Sequence, residues 1–143
     1  MSFLRSLLVI LLLSYAYSSS AQELQIDSLG FETFEMTEGD TTYLMKKYFM
    51  AFLKAGPTRD QSEEHAKVIQ AGHMAHINIL AEEKKITIAG PFGDDGEVRG
   101  ILVFNVPTQE EVEALVAQDP AVKAGRLILE VHPWWAAKGS KLE

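Results

Sequence analysis

The chain has no cysteine among its 143 residues. That removes a disulfide framework, a thiolate nucleophile and any thiolate metal site. It also excludes a bacterial lipoprotein anchor, which is attached through cysteine. Basic residues are few, with 13 Lys+Arg against 20 Asp+Glu. So acidic a chain is a poor partner for nucleic acid or for an anionic membrane surface. Internal repeats are missing, and the serine run at residues 18–20 is the only low-complexity tract. No G-x-S-x-G nucleophile elbow is present. "GPFGDDG" (residues 90–96) shares only its glycine content with a phosphate loop, because it lacks the Lys-Ser/Thr ending. Asp-Gly turn chemistry is the better account of it. What remains is enough chain for one domain, held by an ordinary hydrophobic core.

Long apolar runs are equally scarce. The single one, "SLLVILLLSYAY" (residues 6–17), follows Arg5 and precedes "SSSA". It is short for a membrane span, which needs about 20 residues. The order of charge, apolar run and small residues predicts a secretory signal peptide over 1–21, cleaved after Ala21. The mature protein is then periplasmic or secreted, with no membrane association. Loss of Arg5 leaves 12 Lys+Arg against 20 Asp+Glu, a net charge of −8.

Residues 22–42 are acidic and without clear periodicity, and read as an N-terminal arm. Its apolar residues Leu24, Ile26, Leu29, Phe31 and Phe34 would dock on the body. The pattern sharpens from Tyr43. "YLMKKYFMAFLK" reads as a strand. "SEEHAKVIQAGHMAHINILAEEKK" follows the candidate caps Thr58, Asp60 and Ser62 and reads as a long helix. "ITIAGPF" and "VRGILVFNV" flank the Asp-Gly turn as a hairpin. Thr108 with Glu111 is a capping box opening a second helix. "DPAVKAG" is a short turn, and "RLILEVH" is the last strand. The order β-α-β-β-α-β over residues 43–138 is the ferredoxin-like split motif, an α+β fold. Residues 139–143 form a C-terminal tail.

Alternation along the strands gives the sheet two different faces. Val98, Leu102, Phe104 and Val106 share an apolar side with Leu127, Leu129 and Val131, which suits two helices. The other side carries Arg99, Ile101, Val103 and Asn105 with Ile128, Glu130 and His132. It is too apolar for plain solvent and too polar for a dry core. Such a face is economically covered by a second copy, so a homodimer is expected.

The chain has four histidines, and three of them, His65, His73 and His76, fall on the long helix. At about 100° per residue from His65, His76 lies at roughly 20° and His73 at roughly 80°. Val68, Ile69, Ile77, Ile79 and Leu80 occupy the same sector. The histidines therefore sit in the inward stripe, where imidazole nitrogens need partners. Either they are satisfied core groups or they border a pocket between helix and sheet. His73-x-x-His76 with His132 could also ligate a metal, but H-x-x-H alone is a weak signal. No metal or other cofactor is expected. Asp119, before Pro120, has the form of a helix N-cap with Pro at the first helical position.

"HMAHINILAEEKKITIAGPF", "DDGEVRGILVFNV" and "AQDPAVKAGRLILEVHPWW" resemble the YCII-related (YciI-like) domain family. The resemblance implies a dimeric α+β barrel of ferredoxin-like protomers. It also implies a His–Asp pair as active site, here His73 before the helix and "AGP" unit and Asp119 of "QDP". Some relatives remove groups from hydroxylated rings, and the wider superfamily holds isomerases and monooxygenases. The family is mostly cytosolic, so an export signal is a departure. A carboxylate against an imidazole fixes its tautomer and stabilises the imidazolium, which suits proton transfer at a carbon acid or ring hydroxyl. The expected function is thus an exported small-molecule lyase or isomerase, with a non-catalytic ligand-binding or assembly module as the alternative. His76, Pro91, Phe92, His132 and Trp134 are the expected binding residues. "HPWW" would stack an aromatic ligand or plug the end of the barrel.

N-terminal sequencing of native material should begin at Gln22, and a start at Met1 would overturn the signal peptide.

Overall fold

The computed structural model describes residues 23–142. The expected signal peptide over 1–21 lies outside them. Six strands form one antiparallel sheet: β1 (Gln25–Ile26), β2 (Glu32–Glu38), β3 (Thr41–Ala55), β4 (Ile86–Pro91), β5 (Val98–Phe104) and β6 (Leu127–Ala137). Three helices accompany it: α1 (Glu63–Glu82), α2 (Gln109–Val116) and the single turn α3 (Pro120–Lys123). From β3 onward the order is βαββαβ, and the strands lie β6-β3-β5-β4 across the sheet. This is the ferredoxin-like arrangement.

The helix ends follow the cap chemistry of the sequence. Ser62 accepts the His65 N–H at 3.2 Å, and Glu63 and Glu64 meet the positive end of the α1 dipole. Thr108 accepts the Glu111 N–H at 3.2 Å. The reciprocal half of the expected capping box is not made, because the Glu111 carboxylate instead pairs with Lys85 at 2.5 Å.

The core lies between the helices and one side of the sheet. Phe49, Ala51 and Leu53 of β3 meet Leu102 and Phe104 of β5 there, with Leu80, Ile86, Val106 and Val112 packed over them. Phe104 and Val112 are wholly buried. On α1 the buried residues are Ile69, His73 and Leu80, with His76 and Ile77 half-buried. His65 is exposed, and so are Val68 and Ile79. The inward stripe is therefore rotated toward His73 from the sector that began at His65.

The expected arm is a strand-forming segment. β2 pairs with Thr41–Lys46 of β3, on the edge that β5 occupies further along. Phe31 is buried and the Lys46 ammonium sits 3.4 Å above its ring, while Leu24, Ile26 and Leu29 stay exposed. Lys46 also donates to Asn105 at 2.7 Å. Burial pushes its amine below the ordinary lysine value, and the charge of Lys138 adds to this while Asp27 opposes it. A cation over an aromatic face, desolvated, is a strong local anchor.

A second seam joins the loop before α1 to the connection after α3. Gly56 N–H donates to Arg126 O at 2.8 Å and Thr58 N–H to Gly125 O at 3.0 Å. The Arg126 guanidinium donates to Gln61 at 2.6 Å. A Cβ on Gly56 would stand 2.2 Å from the Gly125 carbonyl oxygen, so only glycine permits this approach. Gly56→Ala should lower stability by about 1–3 kcal/mol or more, as overpacking against backbone does. Urea denaturation checks this, and an unchanged midpoint would mean the seam is loose.

Candidate active site

α1 carries His73 toward the sheet, and the turn after α2 carries Asp119 toward α1. Two local features bring them together. Gly72 has no side chain, and Pro120 packs into the space, where a Cβ would meet Pro120 Cγ at 3.0 Å. Asp119 must cap α3, which turns its carboxyl inward. The result is a buried pair. His73 Nδ1 stands 2.6 Å from Asp119 Oδ2, with 8% and 5% of the two side chains exposed.

The two carboxylate oxygens have separate duties. Oδ1 accepts the Ala121 N–H at 2.7 Å as the cap, and Oδ2 takes His73. Capping α3 and pairing with His73 thus coexist on one carboxylate. Burial alone would raise the Asp119 carboxyl. The hydrogen bond and charge of His73, then the Ala121 N–H and the charge of His76, outweigh burial and hold it below the ordinary value. An ionised carboxylate only accepts, so His73 Nδ1 must carry the proton of this bond. Nε2 then has a lone pair in neutral imidazole. Among the described residues it has no hydrogen-bond partner, nor is it sealed away as a buried unsatisfied atom.

His73 borders a cavity of about 320 Å³ between α1 and the sheet. Leu53, Ile77, Leu102 and Leu127 give it an apolar wall, and Gln70 and Arg99 are polar members beside His73. Gly90 and Gly100 give the wall only backbone, and Gly100 lets β4 approach, since a Cβ there would stand 2.6 Å from the Gly90 carbonyl oxygen.

The expected binding residues divide. Pro91 lies in the wall of this cavity. His76 lies one turn from His73 but donates to the Leu115 carbonyl at 3.0 Å, a structural tie between α1 and α2. Phe92 is 46% exposed and outside the wall, because β4 ends at Pro91. His132 and Trp134 are not brought to the site. They alternate onto the outer side of β6, where His132 bonds Glu130 at 2.7 Å and Trp134 packs near Tyr48 at 6.3 Å between rings. The Glu130 carboxyl is held below its ordinary value by Lys54 first and His132 second. Arg99, Gln70 and Met74 line the cavity without having been singled out by the sequence. Among the described residues no group of three His, Asp or Glu is placed to hold a metal, and no helix is long and apolar enough to cross a membrane.

A ferredoxin-like α+β domain with a buried His–Asp pair beside an apolar cavity is thus the class of protein defined by fold and site. The chain belongs to the YCII-related domain family, whose model matches residues 49–135. No curated protein matches it. Among solved structures it is similar to the 5-chloro-2-hydroxyhydroquinone dehydrochlorinase of Burkholderia phenoliruptrix AC1100, determined with 2,5-dihydroxybenzoquinone. Identity is 25% and the TM-score 0.48, over 61% of this chain and 92% of that one.

Because the folded Asp119 carboxyl is lowered, the unfolded chain binds more protons around pH 4. The pair therefore stabilises the fold above the unfolded carboxyl value of roughly 3.9, and that stability is lost as pH falls through the lower folded value. Asp119→Asn keeps a good cap but cannot ionise. It should be less stable than the parent at pH 7 by about 1.5–3 kcal/mol, the range for a hydrogen bond to a charged group. Urea midpoints from pH 7 to pH 2.5 should show the gap closing below about pH 4. A gap independent of pH would mean the carboxylate charge contributes nothing.

Proposed function

We propose that this chain is an exported small-molecule enzyme of lyase or isomerase type in which His73 and Asp119 act as an acid–base pair. The observation that carries it is the division of labour at the pair. Asp119 fixes the tautomer through Nδ1, which leaves Nε2 without a hydrogen-bond partner among the described residues, on a histidine that lines the cavity. A His so oriented accepts a proton from a carbon acid or ring hydroxyl. In a lyase step the C–H electron pair becomes a C=C bond. The leaving group departs from the neighbouring carbon with its own pair, and the proton rests on Nε2. In an isomerase step the imidazolium returns the proton to another carbon. Asp119 stabilises the imidazolium between the two transfers.

Two further parts of the proposal concern where and how it works. Export rests on residues 1–21 of the sequence. A homodimer, paired sheet to sheet, rests on the outer face. There Ile128 is 50% and Trp134 37% exposed beside Tyr48, Met50 and Phe52, an apolar patch that a second copy would cover.

The test is proton exchange in D2O, followed by NMR, over a panel of small carbon acids and hydroxylated aromatics. His73→Asn should slow the exchanging substrate by roughly 10²–10⁴-fold, the usual worth of a general base. Asp119→Asn should slow it less, and His65→Asn not at all, because His65 is exposed on the first turn of α1. If His73→Asn and Asp119→Asn lose only stability and exchange as the parent does, the pair is structural. The domain would then be a binding module.

A further inference from the structure

We propose that the cavity at His73 takes a small, mostly apolar carboxylate, and that Arg99 recognises its charge. This rests on the acid–base role of His73 and names the kind of molecule it acts on. Strict alternation along β5 would place Arg99 on the outer face with Ile101 and Val103. The register cancels that placement. Leu53 pairs with Gly100 and Lys54 with Val98, so Arg99 is the extra residue of a bulge. A bulge re-aims a side chain out of alternation. Arg99 stands in the wall of the cavity that His73 borders, next to Gly100 and Ile101. The bulge is fastened on its other edge, where the Arg99 carbonyl accepts the Phe92 N–H at 3.0 Å.

The guanidinium is free to bind. Its Nη1 donates to the Gly96 carbonyl at 3.1 Å. Its other contact is Asp95 at 3.8 Å, a carboxylate fully exposed to water. An exposed pair at that separation contributes little. Arginine has five N–H donors, so most remain for a ligand.

The wall around it defines the ligand. Arg99 is the one cation among the described lining residues, and none of them is a carboxylate. In a chain of net charge −7 this is a local departure, so it selects charge at one point rather than by the overall field. Leu53, Ile77, Leu102 and Leu127 accept an apolar body, with the Gln70 amide as a second polar contact. A carboxylate matches the guanidinium fork in two parallel hydrogen bonds. Neutralising it there also makes a neighbouring C–H easier for His73 to deprotonate, because less net negative charge accumulates.

The experiment titrates ¹⁵N-labelled protein with benzoate, hexanoate and their uncharged amides. The parent should bind a carboxylate more tightly than its amide, with shifts at the Gly100 and Ile101 amides. Arg99→Gln should weaken the carboxylate by roughly ten- to a hundredfold, the span for a hydrogen bond to a charged group, and leave the amide unchanged. Arg99→Lys should recover part of the loss, since it keeps the charge without the fork. If neither carboxylate binds at millimolar concentration, or amides bind as tightly, or Arg99→Gln weakens both alike, the assignment of Arg99 falls. The His73 role is judged separately. If carboxylate selectivity follows Arg99 while His73→Asn exchanges protons as fast as the parent, recognition stands and the acid–base function falls.

Discussion

The carboxylate of Asp119 is bound from two sides, and the site exists because of it. One oxygen starts α3, and the other holds the imidazole of α1. Remove the cap and the turn before β6 loses the donor–acceptor match that sets its direction. Remove the imidazole and a nearly water-free carboxylate is left uncompensated, which costs several kcal/mol by the general behaviour of broken buried pairs. Everything nearby is arranged to let the two meet. Gly72 lets Pro120 close on α1, His76 ties α1 to the end of α2, and the Gly56–Arg126 seam fixes the other end of the same unit. A polar contact is thus seated among apolar ones and given both of its partners, the condition under which burial of charge is tolerable.

The sheet behind the pair is asymmetric by composition. Its helix side is closed by aliphatic packing around Phe104. Its other side mixes Met50, Phe52 and Ile128 with a network of Lys54, Glu130 and His132. Exposed ion pairs of this sort add little stability to the protomer. A second copy laid on this face would have to meet these charges with complementary ones.

Most of the fold was legible because its signals are local. Alternation, caps and the Asp-Gly turn act over a few residues, and they located β3 to β6 and both longer helices. The helical period put His73 in the inward stripe together with His65 and His76, and Asp-Pro marked Asp119 as a cap, but it was the family resemblance that paired the two. What was not legible depends on tertiary geometry. His65 shares the angular sector but sits on the first turn of α1, beyond the sheet's reach. Residues 32–38 have little apolar pattern, yet they pair because β3 is long enough to offer an unoccupied edge. Glu111 left its capping box for Lys85, a partner 26 residues away. Arg99 escaped notice because it falls at a bulge, which period-2 alternation does not reveal. Gly100 next to it was the available hint, since glycine inside a strand often marks a bulge. His132 and Trp134 went the other way, because alternation on an unbulged β6 is strict.

β3 meets β2, β5 and β6, and so takes part in three of the five ladders among the described residues. Its longest partner, β6, is the last strand among the described residues, with Met45 opposite Ala137 and Ala55 opposite Leu127. Half of the central strand's backbone groups therefore wait for the C-terminal residues before they are satisfied. Loop closure on this scale is slow, since entropy is lost long before contacts return it. Until β6 arrives, β3 is an open edge that accepts any strand offered, including one from another molecule. The eleven residues of β6 thus act as the chain's own protection against misassembly, and shortening them exposes the β3 edge.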